Sequence, residues 1–181
     1  RIRKIGTQKA LQVPGVLGVY TAKDFHGNLW GTIFKDQPLL AEDEVRYVGE
    51  AVVLVAGETR ESAARGREAI EIDYQELPAI LSIAKAREEK SFIGPARTIE
   101  RGDFDRAFRD SPHRIENRIV IRGAEHFYLE NQASIAYPNE DGQIEVLTSS
   151  QHPTETQHVV AHALGLADKD VVCIVKRMGG A

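Results

Sequence analysis

The spacing of apolar positions changes several times along the chain, and each change marks an element. Residues 14–21 (PGVLGVYT) set a Pro-Gly turn before a β-branched and aromatic run, the pattern of a chain entering a strand. Residues 45–57 (VRYVGEAVVLVAG) hold two more apolar runs joined at Gly49-Glu50. Thr59 then stands where an N-cap belongs, ahead of a helix running to Ile70 whose narrow apolar face is Ala63, Ala64, Ala69 and Ile70. From Ile70 to Tyr74 apolar and acidic residues alternate, predicting a half-buried strand. Strand, helix, strand in that order describes an α+β or α/β unit.

Residues 82–95 (SIAKAREEKSFIGP) turn polar and end in Gly-Pro, which predicts a boundary or an exposed connection. Beyond it Asp103 can open a short helix through Phe108, and residues 114–122, with Ile115, Ile119, Val120 and Ile121, predict a strand. Two strands at 133–138 and 144–149 flank Asn139-Glu140-Asp141-Gly142, whose Asp-Gly is a hairpin signal. Pro153 at a first helical position and Gly165 at the far end bracket a helix, and residues 171–176 form a last strand. The pattern contains no internal repeat.

Composition narrows the class. A chain of 181 residues with 42% hydrophobic and 28% charged residues is that of a soluble globular protein, not a disordered or fibrous one. The net charge of -4 supplies no positive field for gathering phosphates, so nucleic acid is not an expected partner. No apolar stretch reaches the roughly 18 residues of a membrane span, and the start RIRKIGTQKA has no apolar core of a signal peptide. The single cysteine, Cys173, has no partner for an internal disulfide and lies in an apolar run read as a buried strand, which fits a reducing compartment.

Candidate chemistry is sparse. His158 and His162 share one helical face at i, i+4, with His152 nearby, a spacing that can hold a metal; the glutamate of an HExxH motif is absent, and a metal site is not expected. Residues 125–130 (EHFYLE) gather two carboxylates, an imidazole and two aromatic rings, either an acid-base site or, the better reading on spacing alone, a packed turn with hydrogen-bonded polar groups. No serine sits in a nucleophile elbow. Gly179-Gly180 following a strand is a fragment of a glycine loop, a turn or a scar; such a loop brings backbone N–H groups close to an anionic oxygen. Gln151, at a strand-to-helix junction, is either a capping amide or a donor to a ligand oxygen.

Taken in order, the segments PGVLGVYTAKDF, QPLLAEDEVRYVGEAVVLVAG, AIEIDYQELPAI, RGDFDRAF, GAEHFYLENQASIAYP, SSQHPTETQHVVAHALGL and VKRMGG resemble the molybdenum hydroxylase family of xanthine dehydrogenases and aldehyde oxidases over essentially the whole chain. Within it, SSQHPTETQHVVAHALG and SFIGPARTIERGDF look most similar to the bacterial xanthine dehydrogenase branch and its molybdenum-binding subunit. The resemblance implies an α+β fold: a small α/β hammerhead domain over 1–88 lacking its N-terminal strands, a linker over 89–102, and the beginning of a molybdopterin-binding domain over 103–181. It also implies that the chain is an internal piece of a longer protein.

The same resemblance assigns cofactor contacts to Gln151, whose family counterpart hydrogen-bonds an oxygen ligand of molybdenum, and to Gly179 and Gly180, the first two glycines of the family's Gly-Gly-Gly-Phe-Gly-Gly loop. Ala181 stands where the third glycine belongs. His126, Phe127 and Tyr128 are expected to shape the core beneath the site, and the catalytic glutamate is expected outside this chain. The parent enzyme would be a cytoplasmic, oligomeric oxidoreductase acting on a purine such as xanthine, with molybdenum-molybdopterin as cofactor. Its iron-sulfur and FAD centres would lie in other subunits or segments, since this chain has no cysteine cluster and no dinucleotide fingerprint. Alone, the piece is expected to retain no cofactor and to be inactive. The alternatives are an aldehyde or other N-heterocycle dehydrogenase of the same family, or a non-catalytic hammerhead interaction module.

Overall fold

A computed structural model describes residues 1–180; Ala181 lies outside the described residues. The chain folds as two units, one made of Arg1–Leu77 together with the stretch from His126 on, the other of Pro78–Glu125.

The first unit begins with β1 (Ile2–Gly6), the short helix α1 (Gln8–Leu11) and β2 (Val16–Tyr20). A 3-10 turn over Ala22–Asp24 leads to two short strands, β3 (Leu29–Trp30) and β4 (Gln37–Pro38), which pair antiparallel. Then follow β5 (Leu54–Gly57), α2 (Arg60–Glu68) and β6 (Glu71–Tyr74). The pairings are non-local: β1 lies antiparallel to β6 and β2 antiparallel to β5. Of the two apolar runs in 45–57 only the second is a strand; Tyr47 to Gly49 form an exposed turn in which Gly49 has φ +96°.

Thr59 caps α2 as its position predicts. Its Oγ1 accepts the Ser62 N–H at 3.1 Å, while the Thr59 N–H donates to Ser62 Oγ at 3.0 Å, so two orphan donors of the first turn are satisfied reciprocally. The helix buries Ser62 and Gly66 rather than the expected alanines, which are half-buried or at the cap. The reason is closeness: a Cβ on Gly66 would stand 2.7 Å from Val16 and 2.9 Å from Val55, so only the smallest residues fit between α2 and the β2–β5 pair.

The second unit holds α3 (Ile83–Glu88), in the stretch expected to be an exposed connection, and α4 (Phe104–Asp110), capped by Asp103 Oδ1 accepting the Arg106 N–H at 2.9 Å. The strand expected over 114–122 does not form. Those residues find no ladder partner among the described residues, and Ile115 and Ile121 are 93% and 89% exposed. β propensity without a neighbouring strand leaves backbone groups to water.

Returning to the first unit, β7 (Ser134–Pro138) and β8 (Ile144–Thr148) form the antiparallel hairpin that Asp-Gly predicts, and α5 (Pro153–Leu164) crosses over to β9 (Val171–Ile174), which pairs parallel with β8. Parallel neighbours require such a crossover. Gly165 ends α5 at φ +69°, a conformation that suits glycine, and the Leu166 N–H returns to the Ala161 carbonyl at 2.9 Å. The core of this β-α-β piece is Val146, Ala161 and Val171, with Ile144 and Val160 packed against it. Gln157 ties helix to strand: its Nε2 donates to the carbonyls of Val171 at 2.7 Å and Asp168 at 2.9 Å.

Cys173 on β9 is half-buried, less than its apolar run suggests. Burial pushes its thiol up, and the hydrogen bond with Thr156 opposes that only in part, so it is a poor nucleophile. Among the described residues no helix is long and apolar enough to cross a membrane.

Candidate active site

The β8-α5 junction places Gln151. β8 ends at Thr148, and α5 begins at Pro153, whose missing N–H costs nothing at a first helical position. Between them the His152 N–H donates to Ser150 Oγ at 3.1 Å, turning the chain and leaving the Gln151 side chain exposed. His152 stands at the N-cap without a side-chain cap bond, so α5 presents its positive end beside Gln151.

Gln151 and Gly180 line the same cavity, of about 600 Å³. Its polar wall includes Thr148, Ser149, Ser150 and Gln132, and its apolar wall includes Val159, Val160, Trp30 and Leu39. The last two arrive from the N-terminal part of the chain. Asn28 holds them there: its Oδ1 accepts the Leu40 N–H at 3.0 Å, its Nδ2 donates to the Leu40 carbonyl at 2.9 Å, and its carbonyl accepts the Leu39 N–H at 2.7 Å. The segment is fixed to α5 by the His26 N–H, which donates to the Ala163 carbonyl at 2.9 Å.

Gly179 and Gly180 lie against the turn that precedes β7. The Gly179 N–H donates to Glu130 Oε2 at 2.5 Å. Gly180 has φ +126°, and a Cβ there would lie 2.8 Å from the Cβ of Tyr128, so both backbone conformation and space call for glycine. The structure thus brings Gln151 and Gly180 to one cavity and sets Gly179 at its edge through Glu130, itself a lining residue. Sequence reasoning grouped Glu130 with its neighbours without giving it this partner.

Two expectations need correction. His126 and Phe127 are exposed, Phe127 at 90% with φ +52°, and Tyr128 is only partly covered; they do not form a core beneath the site. Nor is residues 125–130 a packed turn, although Tyr128 OH accepts a hydrogen bond from Gln132 Nε2 at 2.7 Å. The histidines remain apart in role: His158 Nε2 faces Asp168 at 3.6 Å, and His162 packs against Gly27. No cluster of three His, Cys, Asp or Glu suited to a metal occurs among the described residues.

The lining fits a polar, hydrogen-bonding group better than a phosphate. Two side-chain amides, five hydroxyls and a glycine backbone line the cavity, whereas its acidic residues are Glu130 and Glu155 and no Lys or Arg lines it among the described residues. One wall of a pterin-type site would match this donor set.

The strand-to-helix junction and Gly180 thus meet at one donor-lined cavity. Residues 85–181 match the molybdopterin cofactor-binding domain, and residues 1–78 match the a/b hammerhead domain of aldehyde oxidase and xanthine dehydrogenase, so the chain belongs to the molybdenum hydroxylase family of xanthine dehydrogenases and aldehyde oxidases. It is 40% identical to the xanthine dehydrogenase of Emericella nidulans over 99% of its own length, and spans 14% of that relative. Among solved structures it resembles the reconstituted CO dehydrogenase of Oligotropha carboxidovorans (TM-score 0.78, 26% identity, 100% of this chain and 26% of that one). The aldehyde oxidoreductase of Desulfovibrio gigas is similar at a TM-score of 0.75 and 25% identity, over 99% of this chain and 22% of that one.

Proposed function

We propose that this chain is part of a cytoplasmic enzyme that oxidises xanthine- and hypoxanthine-type purines with oxygen derived from water. In this reading the segments are a hammerhead domain over 1–88, a linker over 89–102 and the opening of the molybdopterin-binding domain over 103–181. The molybdenum cofactor supplies the two-electron oxidation when bound. The chain's own residues bind and orient: the Gln151 amide donates to an oxygen of the cofactor, and Gly179 and Gly180 let the backbone lie against it. Trp30 and Leu39 give the site an apolar surface. Electrons leave through iron-sulfur and FAD centres in other subunits or segments and end on NAD, in an oligomeric enzyme whose catalytic glutamate belongs to another segment.

The observation that carries this reading is the meeting of Gln151 and Gly180 at one donor-lined cavity. The 40% identity to a xanthine dehydrogenase supports the purine substrate. Likeness to an aldehyde oxidoreductase favours a second reading, an aldehyde or other N-heterocycle as substrate. A substrate panel run on the full-length enzyme separates them. The expected outcome is a kcat/KM for xanthine at least about tenfold above that for an aromatic aldehyde or quinoline. The reverse order would install the second reading, and turnover of none, with tight binding of a protein partner, would leave a non-catalytic module.

A further inference from the structure

We infer that Glu130 is a positioning residue for the glycine loop. Its carboxylate, rather than a core beneath the site, holds Gly179 and Gly180 where a cofactor could meet them; this rests on the cofactor reading above. Three observations converge. Glu130 Oε2 accepts the Gly179 N–H at 2.5 Å, a bond across 49 residues of sequence that joins the turn before β7 to the segment after β9. A Cβ on Gly179 would stand 3.1 Å from that same oxygen and 3.3 Å from the Glu130 nitrogen, so the two segments approach closely and a larger residue would press on the carboxylate. One residue on, Gly180 closes against Tyr128, whose hydroxyl is in turn bonded by Gln132.

The segment that presents Tyr128 and Glu130 includes Phe127 at φ +52°, a conformation that non-glycine residues adopt at a cost. A charge-assisted bond between an ionised acceptor and a backbone N–H is among the stronger hydrogen bonds. Glu130 is only partly covered, and it lines the cavity together with Gly180, so one side chain reaches both the loop and the space a ligand would fill. By taking up the Gly179 N–H, it occupies that donor, while Gly180 lines the cavity.

The test is amide hydrogen exchange by NMR on this chain, read at Gly179 and, as a reference for global opening, at Val146 and Val171. Glu130→Ala is expected to speed exchange at Gly179 by about tenfold, the loss of one hydrogen bond to a charged group, while the reference amides hold. Glu130→Gln keeps an acceptor oxygen and is expected to restore most of the protection. Unchanged Gly179 exchange in Glu130→Ala would overturn the proposal. If that variant opens globally, Glu130→Gln decides: Gly179 exchanging as fast there as an unprotected amide also overturns it. The cofactor reading fails separately, if the full-length enzyme with Glu130 intact carries no molybdenum.

Discussion

Replacing Gln151 with Ala is expected to lower turnover of xanthine by the full-length enzyme by about ten- to a hundredfold, with the thermal unfolding midpoint unchanged. The two halves of that expectation have separate causes. Gln151 is exposed at the junction between β8 and α5 and belongs to no packed core, so truncating it removes little folding energy. A hydrogen bond from its amide to a charged oxygen is worth about 1.5–3 kcal/mol, and each 1.4 kcal/mol is a factor of ten in rate. Steady-state kinetics at saturating xanthine, with a melting curve on the same preparation, measures both. Equal turnover in the two proteins would remove Gln151 from the site, and a lowered midpoint would make it a structural residue instead.

A second substitution acts in the opposite way. Val171→Asp is expected to destabilise the β8-α5-β9 piece by about 3 kcal/mol or more, because it buries a carboxylate among apolar neighbours with no partner. Val171 is 1% exposed and packs with Val146 and Ala161, and its carbonyl is also the acceptor that Gln157 uses to hold α5. The same piece carries Gln151 just before α5 and leads from β9 into the segment that holds Gly179, so loosening it disperses the cavity lining as well. Val171→Ala, which leaves a void but no charge, is expected to cost about 2 kcal/mol. Urea unfolding followed by circular dichroism gives both values. A Val171→Asp chain as stable as the parent would mean that this core is not what holds the site.

Elements whose instructions are local were legible from the sequence. Thr59, Asp103, Pro153 and Gly165 each act within a turn or two of themselves, and the structure starts or stops helices at all four. The Asp141-Gly142 hairpin belongs with them. Pairings across long stretches of chain were not legible. Nothing near Ile2 or Glu71 announces that β1 and β6 are neighbours. The apolar residues of 114–122 carry strand propensity, but propensity forms no ladder without a partner, and they remain exposed. The same limit applies at the site. Gln151, Gly179 and Gly180 could be named from their resemblance to family motifs, whereas the Glu130 bond to Gly179 depends on two segments meeting in space. A carboxylate two residues after a tyrosine gives no sign of that.

If Gln151, Gly179 and Gly180 form part of the wall of a molybdenum cofactor site, the full-length enzyme must hold the metal and a blocked wall must lose it. Metal analysis of the purified full-length enzyme tests this most directly, with a Gly180→Val variant as comparison, since a β-branched side chain cannot occupy the space beside Tyr128 at φ +126°. Molybdenum is predicted close to one atom per enzyme chain in the parent and severalfold lower in the variant. A parent enzyme that folds, is supplied with molybdate during expression and still contains no molybdenum would contradict that assignment.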